Sequence, residues 1–246
     1  MKKVTRTIFG VLLSGLVGFS PAWAEWYVAG YAGYAFPNTT DRTDRDIIGG
    51  VFTSEITFKD ITLEDSAVFG GKIGYFFETG LRYFALEVDG YRFNPDARAQ
   101  IVTFDDSTFL GASVFGIAQL FDTDITLTGI GVNGVARAGL AKSPDFPKGR
   151  FQPYAGVGPT VFIANLDATT ASATTISDTD FRVGAQAVAG LKFFLFKHVA
   201  LFTEYKFIKT FDFNFELVTD PAAFTKTDLA IGITSHLIYG GLAFHF

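Results

Sequence analysis

The side chains best able to do acid–base chemistry in this 246-residue chain are its three histidines, His198, His236 and His245. A hydrolase needs a nucleophile within hydrogen-bond reach of a base, and His236 directly follows Ser235. Adjacent side chains of a β-strand point to opposite faces of the sheet, so these two cannot form a catalytic pair there. We therefore predict no catalytic residue, and we expect that the protein is not an enzyme.

Sequence patterns typical of cofactor and metal sites are weak in this chain. Residues 129–134 match the glycine spacing of a dinucleotide-binding loop, but no βαβ unit surrounds them, and we interpret them as small strand residues that relieve crowding. Three Asp-x-Asp pairs occur in polar segments: Asp44 with Asp46, Asp122 with Asp124, and Asp178 with Asp180. Two carboxylates fall far short of the roughly 6 to 8 ligands that Ca²⁺ prefers. We predict no cofactor and no metal site, with the hypothesis left open that pairs from different loops share one ion.

Apolar and polar residues alternate along much of the chain over stretches of about ten residues, which indicates β-strands. Eight stretches reach the roughly 9 to 11 residues that a tilted membrane strand needs. They are residues 26–36, 67–77, 82–93, 125–138, 151–164, 181–195, 199–214 and 233–246. Beyond residue 24, no apolar run approaches the roughly 18 residues of a membrane helix. Because only helices and closed barrels satisfy every backbone amide within lipid, the sequence predicts an all-β fold, an eight-stranded antiparallel up-and-down transmembrane barrel with long external loops.

The two faces of these strands differ in polarity, most clearly in segment 199–214. One parity holds Leu201, Thr203, Tyr205, Phe207, Phe211 and Phe213, and the other holds Ala200, Phe202, Glu204, Lys206, Thr210 and Asp212. A Lys or Arg on the lipid side at mid-bilayer costs about 2–4 kcal/mol, so we assign the charged face to the lumen. By the same alternation, Tyr83 of segment 82–93 is expected to point inward.

This alternation predicts a network of seven charged side chains inside the barrel. They are Lys72, Glu87, Asp89, Arg137, Lys192, Glu204 and Lys206. An eight-stranded barrel is just wide enough for its own side chains to fill it. Buried charges are normally paired, so we expect these residues to neutralise one another and fill the lumen. The alternative is a narrow gated path for ions or small solutes.

The ends of the chain and the lengths of its connections agree with an exported barrel. Residues 1–24 combine three basic residues, an apolar run and the triplet Ala22-Trp23-Ala24, which predicts a cleaved signal peptide followed by one barrel domain, residues 25–246. The connections 78–81, 139–150 and 196–198 are short, whereas the intervening ones are long. Bacterial outer-membrane barrels have short periplasmic turns and long external loops. The alternating C-terminal residues place Phe246 in the lipid-facing wall at the inner interface.

Several motifs resemble those of the eight-stranded OmpA-like and opacity-protein-like superfamily of outer-membrane barrels. The resemblance lies in the runs 152–158 (QPYAGVG), 201–207 (LFTEYKF) and 26–30 (WYVAG). Lys206 stands where the superfamily more often has Arg. The C-terminal residues Tyr239, Gly241, Phe244 and Phe246 resemble the signal that the barrel-assembly machinery reads. The resemblance implies a porin-family protein of a Gram-negative outer membrane, in contact with membrane lipid and lipopolysaccharide.

The expected external loops are strongly acidic. The predicted signal peptide contains three of the 20 basic residues and none of the 25 acidic ones, which leaves the mature chain 17 against 25, a net charge of −8. Residues 37–66 hold seven acids and three bases, and residues 94–124 hold five acids and one base. Such loops attract basic partners and repel anionic lipopolysaccharide unless divalent cations bridge the two.

Three segments leave their local structure open. Residues 109–121 have apolar residues at helical spacing, and we favour a short helix or packed lid over a strand. Residues 51–63 alternate like a strand that continues the first hairpin above the membrane. Pro159 lies within the fifth barrel segment, where a missing ladder hydrogen bond predicts a bulge or an early strand end.

The sequence as a whole predicts a monomeric outer-membrane barrel that serves envelope structure and surface interaction through its acidic loops. A surface ligand of these loops is expected, and no nucleic-acid partner. A small-solute channel is the first alternative. A lipid-modifying enzyme is the second, but it would require a polar dyad near the outer lipid face, and the sequence offers no geometry for one.

Overall fold

The structure, a computed structural model, describes residues 25–48, 51–77, 81–108, 113–120, 122–169, 175–220 and 225–246. These residues form fourteen β-strands. In chain order they are β1 (Glu25–Pro37), β2 (Thr40–Ile48), β3 (Val51–Ile61), β4 (Ser66–Phe76), β5 (Phe84–Phe93), β6 (Gln100–Thr108), β7 (Ser113–Leu120), β8 (Thr123–Arg137), β9 (Phe151–Thr169), β10 (Thr175–Phe196), β11 (Val199–Thr210), β12 (Phe213–Asp220), β13 (Thr225–Ile231) and β14 (Thr234–His245). Over this part of the chain, no helix has the length and apolar character to cross a membrane.

Eight of the strands close into an antiparallel barrel in the order β1-β14-β11-β10-β9-β8-β5-β4. The ring closes because β1 pairs on one side with β14, from Tyr27 opposite His245 onward, and on the other side with β4. Every strand of the barrel therefore has two hydrogen-bonded neighbours, as a lipid-embedded backbone requires. The predicted fold is confirmed, and each of the eight predicted segments contributes one barrel strand, although the bounds of several strands differ from those predicted.

The other six strands form a second sheet in the order β12-β13-β2-β3-β6-β7, at the end of the barrel that carries the long connections. We call this sheet the crown. The expected strand at residues 51–63 is confirmed, since β3 pairs with β2 as a hairpin. The expected helix or lid at residues 109–121 is wrong: β7 pairs with β6 from Ser113 to Leu120. Residues 109–112 and 121 lie outside the described residues. The helical spacing of the apolar residues is only a weak local preference. The hydrogen bonds and side-chain contacts that β7 gains by pairing with β6 outweigh it.

Pro159 does not end or bulge its strand, contrary to the prediction. Strand β9 continues to Thr169, and its register with β10 passes through Pro159, opposite Ala185, without a shift. On the other side, the ladder with β8 is interrupted between the pairs Gly131–Thr160 and Gly134–Val157 and resumes in the same register. The absent proline donor therefore opens a local gap in one ladder and leaves the register unchanged.

The expected single strand 199–214 is instead two strands, β11 and β12, separated by Phe211 and Asp212. Within β11 the predicted faces are confirmed, with Ala200, Phe202, Glu204 and Lys206 buried and Leu201 exposed. Beyond the break the prediction is wrong, since Phe213 is fully buried and Asp212 is exposed. The alternation restarts there because β12 leaves the barrel to pair with β13 in the crown. Tyr83 also departs from its predicted inward position, because it precedes β5 and is exposed.

Glycines lie opposite the tyrosine rings that line the barrel interior. The directly paired residues on neighbouring strands are Tyr27 and Gly74, Tyr31 and Gly70, Tyr91 and Gly129, Tyr154 and Gly190, and Tyr239 and Gly33. A Cβ atom added at Gly74 would lie 2.4 Å from ring atoms of Tyr27. At Gly70, Gly74, Gly129 and Gly190 the facing tyrosine ring covers a position that has no side chain, a cross-strand arrangement that pins the register.

We predict that Gly74→Ala destabilises the barrel by about 1–3 kcal/mol, because the added methyl group displaces a buried tyrosine ring. The free energy of unfolding can be measured by urea titration of the protein refolded in lipid vesicles. Gly30→Ala is the matched control: Gly30 faces outward on β1, and an added Cβ meets nothing within 4 Å. Equal stability of the two variants would contradict the role assigned to the Tyr27–Gly74 pair.

Candidate functional site

The seven predicted lumen charges are all buried inside the barrel. Lys72 lies on β4, Glu87 and Asp89 on β5, Arg137 on β8, Lys192 on β10, and Glu204 and Lys206 on β11. The structure brings five of them together in the middle of the lumen. Arg137 and Lys192 lie nearer the end that carries the short turns.

The central charges form two groups of ion pairs. Lys72 Nζ lies 2.5 Å from Glu204 Oε2 and 3.4 Å from Glu87 Oε2. Lys206 forms an ion pair with Asp89, and both side chains are completely buried. At such positions an unpaired charge would be strongly destabilising, and pairing with additional hydrogen bonds offsets the cost of removing the charges from water.

Buried tyrosines supply the additional hydrogen bonds. The hydroxyl of Tyr27 donates to Glu87 at 2.5 Å, that of Tyr31 to Asp89 at 2.6 Å, and that of Tyr154 to Glu204 at 2.6 Å. Tyr239 also donates to Glu204. The ammonium of Lys206 lies 4.2 Å from the centroid of the Tyr91 ring. Each central carboxylate therefore accepts at least one hydrogen bond from a tyrosine hydroxyl, in addition to its ion pair with lysine.

The sequence prediction did not include these tyrosines in the network. Tyr27 and Tyr31 share the parity of Glu25 on β1, so strand alternation was the signal that could have found them. Tyr239 had been assigned to the assembly signal, yet its ring points inward and is buried. Of the other residues in that signal, Phe244 and Phe246 are exposed on the outer wall. Gly241 packs closely against β1, since a Cβ at this position would lie 2.2 Å from Gly30 O.

A second cluster, which the sequence prediction also missed, closes the lumen at the short-turn end around Glu25. The Glu25 carboxylate accepts two hydrogen bonds from the Arg137 guanidinium, one of them 2.8 Å long. It also lies 2.9 Å from Lys148 Nζ and 2.9 Å from His245 Nδ1. Lys192 Nζ lies 3.3 Å from His245 Nε2. With Glu25 included, the buried ionic side chains of the described residues comprise four carboxylates and four Lys or Arg cations.

Two buried amides link the central charges to the wall. Asn133 Nδ2 donates to Glu87 at 3.2 Å, and Gln186 Nε2 donates to Asn133 Oδ1 at 2.8 Å. A Cβ at Gly131 would lie 2.4 Å from Gln186 Nε2, so the glycine leaves room for the Gln186 side chain in this position. Gly129 and Gly131 thus relieve crowding, as the sequence interpretation proposed, whereas Gly134 is exposed and a Cβ there would meet only Val157 O, at 4.0 Å.

A layer of apolar side chains separates the charged lumen from the crown. Its buried members include Val68, Phe93, Leu127, Phe162, Ile208, Ile233 and Leu237. Below this layer, a cavity of about 10 Å³ borders Lys72, Glu87 and Lys192. Above it, a cavity of about 20 Å³ borders Leu120 and Ile125. Each space holds about one water molecule at most, so the interior is filled with side chains.

Ser235 and His236 lie on opposite faces of β14, as strand alternation predicted. Ser235 is fully buried, and His236 lies on the outer wall. There Tyr205 Oη and His236 Nδ1 are 2.6 Å apart, a polar dyad that the sequence offered no way to foresee. Among the described residues, His236 has no further hydrogen-bond partner that would orient it as a base. The dyad therefore lacks the third group of a catalytic triad.

The aspartates of the Asp-x-Asp pairs hold the crown together rather than converging on one point. Asp178 and Asp180 accept hydrogen bonds from the backbone amides of Glu216 and Asn214, at 2.9 and 2.7 Å. Asp122 accepts a hydrogen bond from the Ala99 amide. Within the described ranges, no group of three or more His, Cys, Asp or Glu side chains could hold a metal ion. The shared-ion hypothesis has no support in this geometry.

Comparisons with known proteins agree with the barrel. A family model described as an outer membrane protein beta-barrel domain matches residues 9–246. The outer membrane protein OprG from Pseudomonas aeruginosa matches with a TM-score of 0.53 and 16% identity, over 91% of this chain and 97% of that one. Neisserial surface protein A matches with a TM-score of 0.47 and 12% identity, over 90% and 97% of the two chains. No curated protein sequence matches significantly.

We predict that Lys206→Met destabilises the barrel by about 3–5 kcal/mol, because it leaves Asp89 buried without its cation. The double variant Asp89→Asn/Lys206→Met removes both charges and should recover much of this loss. Urea unfolding in vesicles would measure the coupling. Lys209→Met, an exposed change on the same strand, should stay within about 0.5 kcal/mol of the native protein. Additive single-variant losses would show that the pair is not coupled.

Proposed function

Since the chain belongs to the outer membrane protein β-barrel domain family and lies in the bacterial outer membrane, we propose that it is a monomeric, non-enzymatic barrel with a closed lumen. In this proposal residues 1–24 are removed and residues 25–246 form the mature protein. Its role is in envelope structure and in surface interaction through the acidic crown. The observation that carries the proposal is the filled interior, with paired charges beneath a layer of apolar side chains.

The filled interior supports a closed lumen over the channel alternative. A conducting path would require breaking the buried ion pair of Lys72 and Glu204 and displacing the ring of Phe162, which has no solvent exposure. It would also have to pass Glu25, which Arg137 and Lys148 hold across the periplasmic mouth. Each step disrupts buried ion pairs, hydrogen bonds or packed rings, so opening is unfavourable.

If the lumen is closed, the surface that can bind external partners is the crown, which lies outside the membrane. Its base is held by the segments that connect crown and barrel strands: Glu64 N donates to Asp96 O at 2.8 Å, and Asp96 Oδ1 accepts from Ile125 N of β8 at 2.8 Å. Burial raises the pKa of the Asp96 carboxyl above its ordinary value. A framework of this kind, tied at its base to a closed barrel, is a rigid scaffold for surface recognition.

The chemistry of the crown surface suits a basic partner with an apolar contact. Exposed carboxylates at its base and on its loops include Asp60, Glu64, Asp65, Asp122, Asp124 and Asp167. Ile101 on β6 and Ile117 on β7 are each 74% exposed and lie on one face of the crown. Negative charge steers cationic partners toward the surface, and exposed apolar side chains then favour a desolvated contact.

The C-terminal strand supports recognition by the barrel-assembly machinery. Phe244 and Phe246 are about half exposed on the outer wall, where a partner can read them before lipid surrounds the barrel. Tyr239 and Gly241 instead contribute to packing inside, so we assign the recognition role to the two phenylalanines.

We predict that the refolded mature chain, residues 25–246, shows no stable conductance steps in a planar lipid bilayer, because the lumen is filled. A cold-gel mobility shift of the same sample confirms that the barrel has folded. Stable open steps from folded protein would contradict the closed lumen and support the small-solute channel.

We also predict that the crown binds a cationic peptide such as octalysine in a salt-dependent way. The variant Asp60→Asn/Asp65→Asn/Asp124→Asn/Asp167→Asn should bind roughly tenfold more weakly at low ionic strength, since each surface charge contributes on the order of 0.3–1 kcal/mol. Fluorescence anisotropy of the labelled peptide measures the affinity. Asp145→Asn, on a periplasmic turn, is the control and should bind normally. Unchanged binding by the fourfold variant would remove the crown from the proposal.

A further inference from the structure

A cavity of about 310 Å³ opens at the periplasmic mouth of the barrel, beside the turn formed by residues 139–150. Its lining combines cationic and aromatic side chains. The lining includes Arg82, Lys142, Arg137, Phe76, Phe77 and Tyr83. The volume falls at the lower end of the range of about 300–1,000 Å³ for sites that bind small molecules.

The cavity has more positive than negative charge. Arg82, Arg137, Lys142 and Lys148 line it, whereas Glu25 is its one described carboxylate. Glu25 is already bound by Arg137, Lys148 and His245. Among the described residues, neither Arg82 nor Lys142 lies within salt-bridge distance of a carboxylate. Two exposed cations therefore face the cavity without a described acidic partner.

The walls of the cavity are aromatic. The Arg137 guanidinium lies 3.4 Å from the centroid of the buried Phe76 ring. Arg82 donates a hydrogen bond to Tyr83 Oη at 3.0 Å and lies 5.0 Å from the centroid of that ring. Tyr83 thus holds the guanidinium at the rim and restricts its freedom before any ligand arrives. Fixed donors lose less entropy on binding than mobile ones.

A neighbouring cavity of about 270 Å³ provides an internal comparison. It is lined by Lys197 and Asp145, and these two form an ion pair at 3.3 Å. Its rim cation is therefore neutralised within the protein. The contrast assigns the excess positive charge to the cavity of Arg82 and Lys142.

We propose that this periplasmic cavity binds a small amphipathic anion, a carboxylate or phosphate group on an apolar body. Arg82 and Lys142 bind the anionic group, and Phe77 and Tyr83 contact the apolar body. The anion comes either from a free periplasmic solute or from a lipid of the inner leaflet. This site is at the opposite end of the barrel from the crown and does not depend on what the crown binds.

The test uses phenyl phosphate as the probe and the refolded mature chain in dodecyl maltoside, an uncharged detergent. Isothermal titration calorimetry should show binding of phenyl phosphate and at least tenfold weaker binding of inorganic phosphate, which lacks the apolar body. Arg82→Gln/Lys142→Gln should weaken binding of phenyl phosphate at least tenfold. Lys197→Gln makes the same charge change at the neighbouring cavity and should leave the affinity unchanged.

Nanodiscs of different composition distinguish the two sources of the anion. If an inner-leaflet lipid is the ligand, nanodiscs of phosphatidylglycerol should weaken phenyl phosphate binding relative to nanodiscs of phosphatidylcholine. Equal affinity in both assigns the site to a free solute. The proposal is overturned if the native protein binds no phenyl phosphate, or if Arg82→Gln/Lys142→Gln binds it as tightly as Lys197→Gln does.

Discussion

Every backbone amide inside a bilayer needs a partner within the protein, and the rest of this structure depends on that constraint. It forces β1 to pair with both β14 and β4, so that the sheet closes on itself. Closure with eight strands produces a bore that only side chains can fill. The glycines opposite Tyr27 and Tyr31 let those rings lie flat against the wall and direct their hydroxyl groups toward Glu87 and Asp89.

The narrow bore explains why its charges are balanced and bonded. Four carboxylates and four cations are buried among the described residues, and phenolic or amide groups donate to the central carboxylates. In a low-dielectric interior a fully satisfied network rigidifies the fold, whereas a partly satisfied one is costly. Lys192 is less well paired than the central lysines, since its nearest polar contact is the His245 ring, at 3.3 Å, and not a carboxylate. Cations without a described acidic partner also line the cavity at the periplasmic mouth, where they are Arg82 and Lys142.

The crown shows what happens where the lipid constraint ends. At Phe211 and Asp212 the chain leaves the barrel ladder, and β12 pairs with β13 in an open sheet. An open sheet has edges that need protection. Asp178 and Asp180 cover part of the β12 edge by accepting hydrogen bonds from its amides. Acidic residues in this part of the chain thus stabilise the crown as well as supplying its surface charge.

Strand alternation in the sequence alone determined the all-β class, the eight crossing segments and the inward direction of Lys72, Glu87, Asp89, Glu204 and Lys206. It could do so because lipid imposes one rule on every residue of a membrane strand: apolar side chains face out. The sequence could not show that Glu25 binds Arg137, that Tyr239 bonds Glu204, or that residues 113–120 form a strand. These outcomes depend on register and on which strands become neighbours. Only the closed tertiary structure decides them, because residues as far apart as 25 and 137 meet only when the barrel closes.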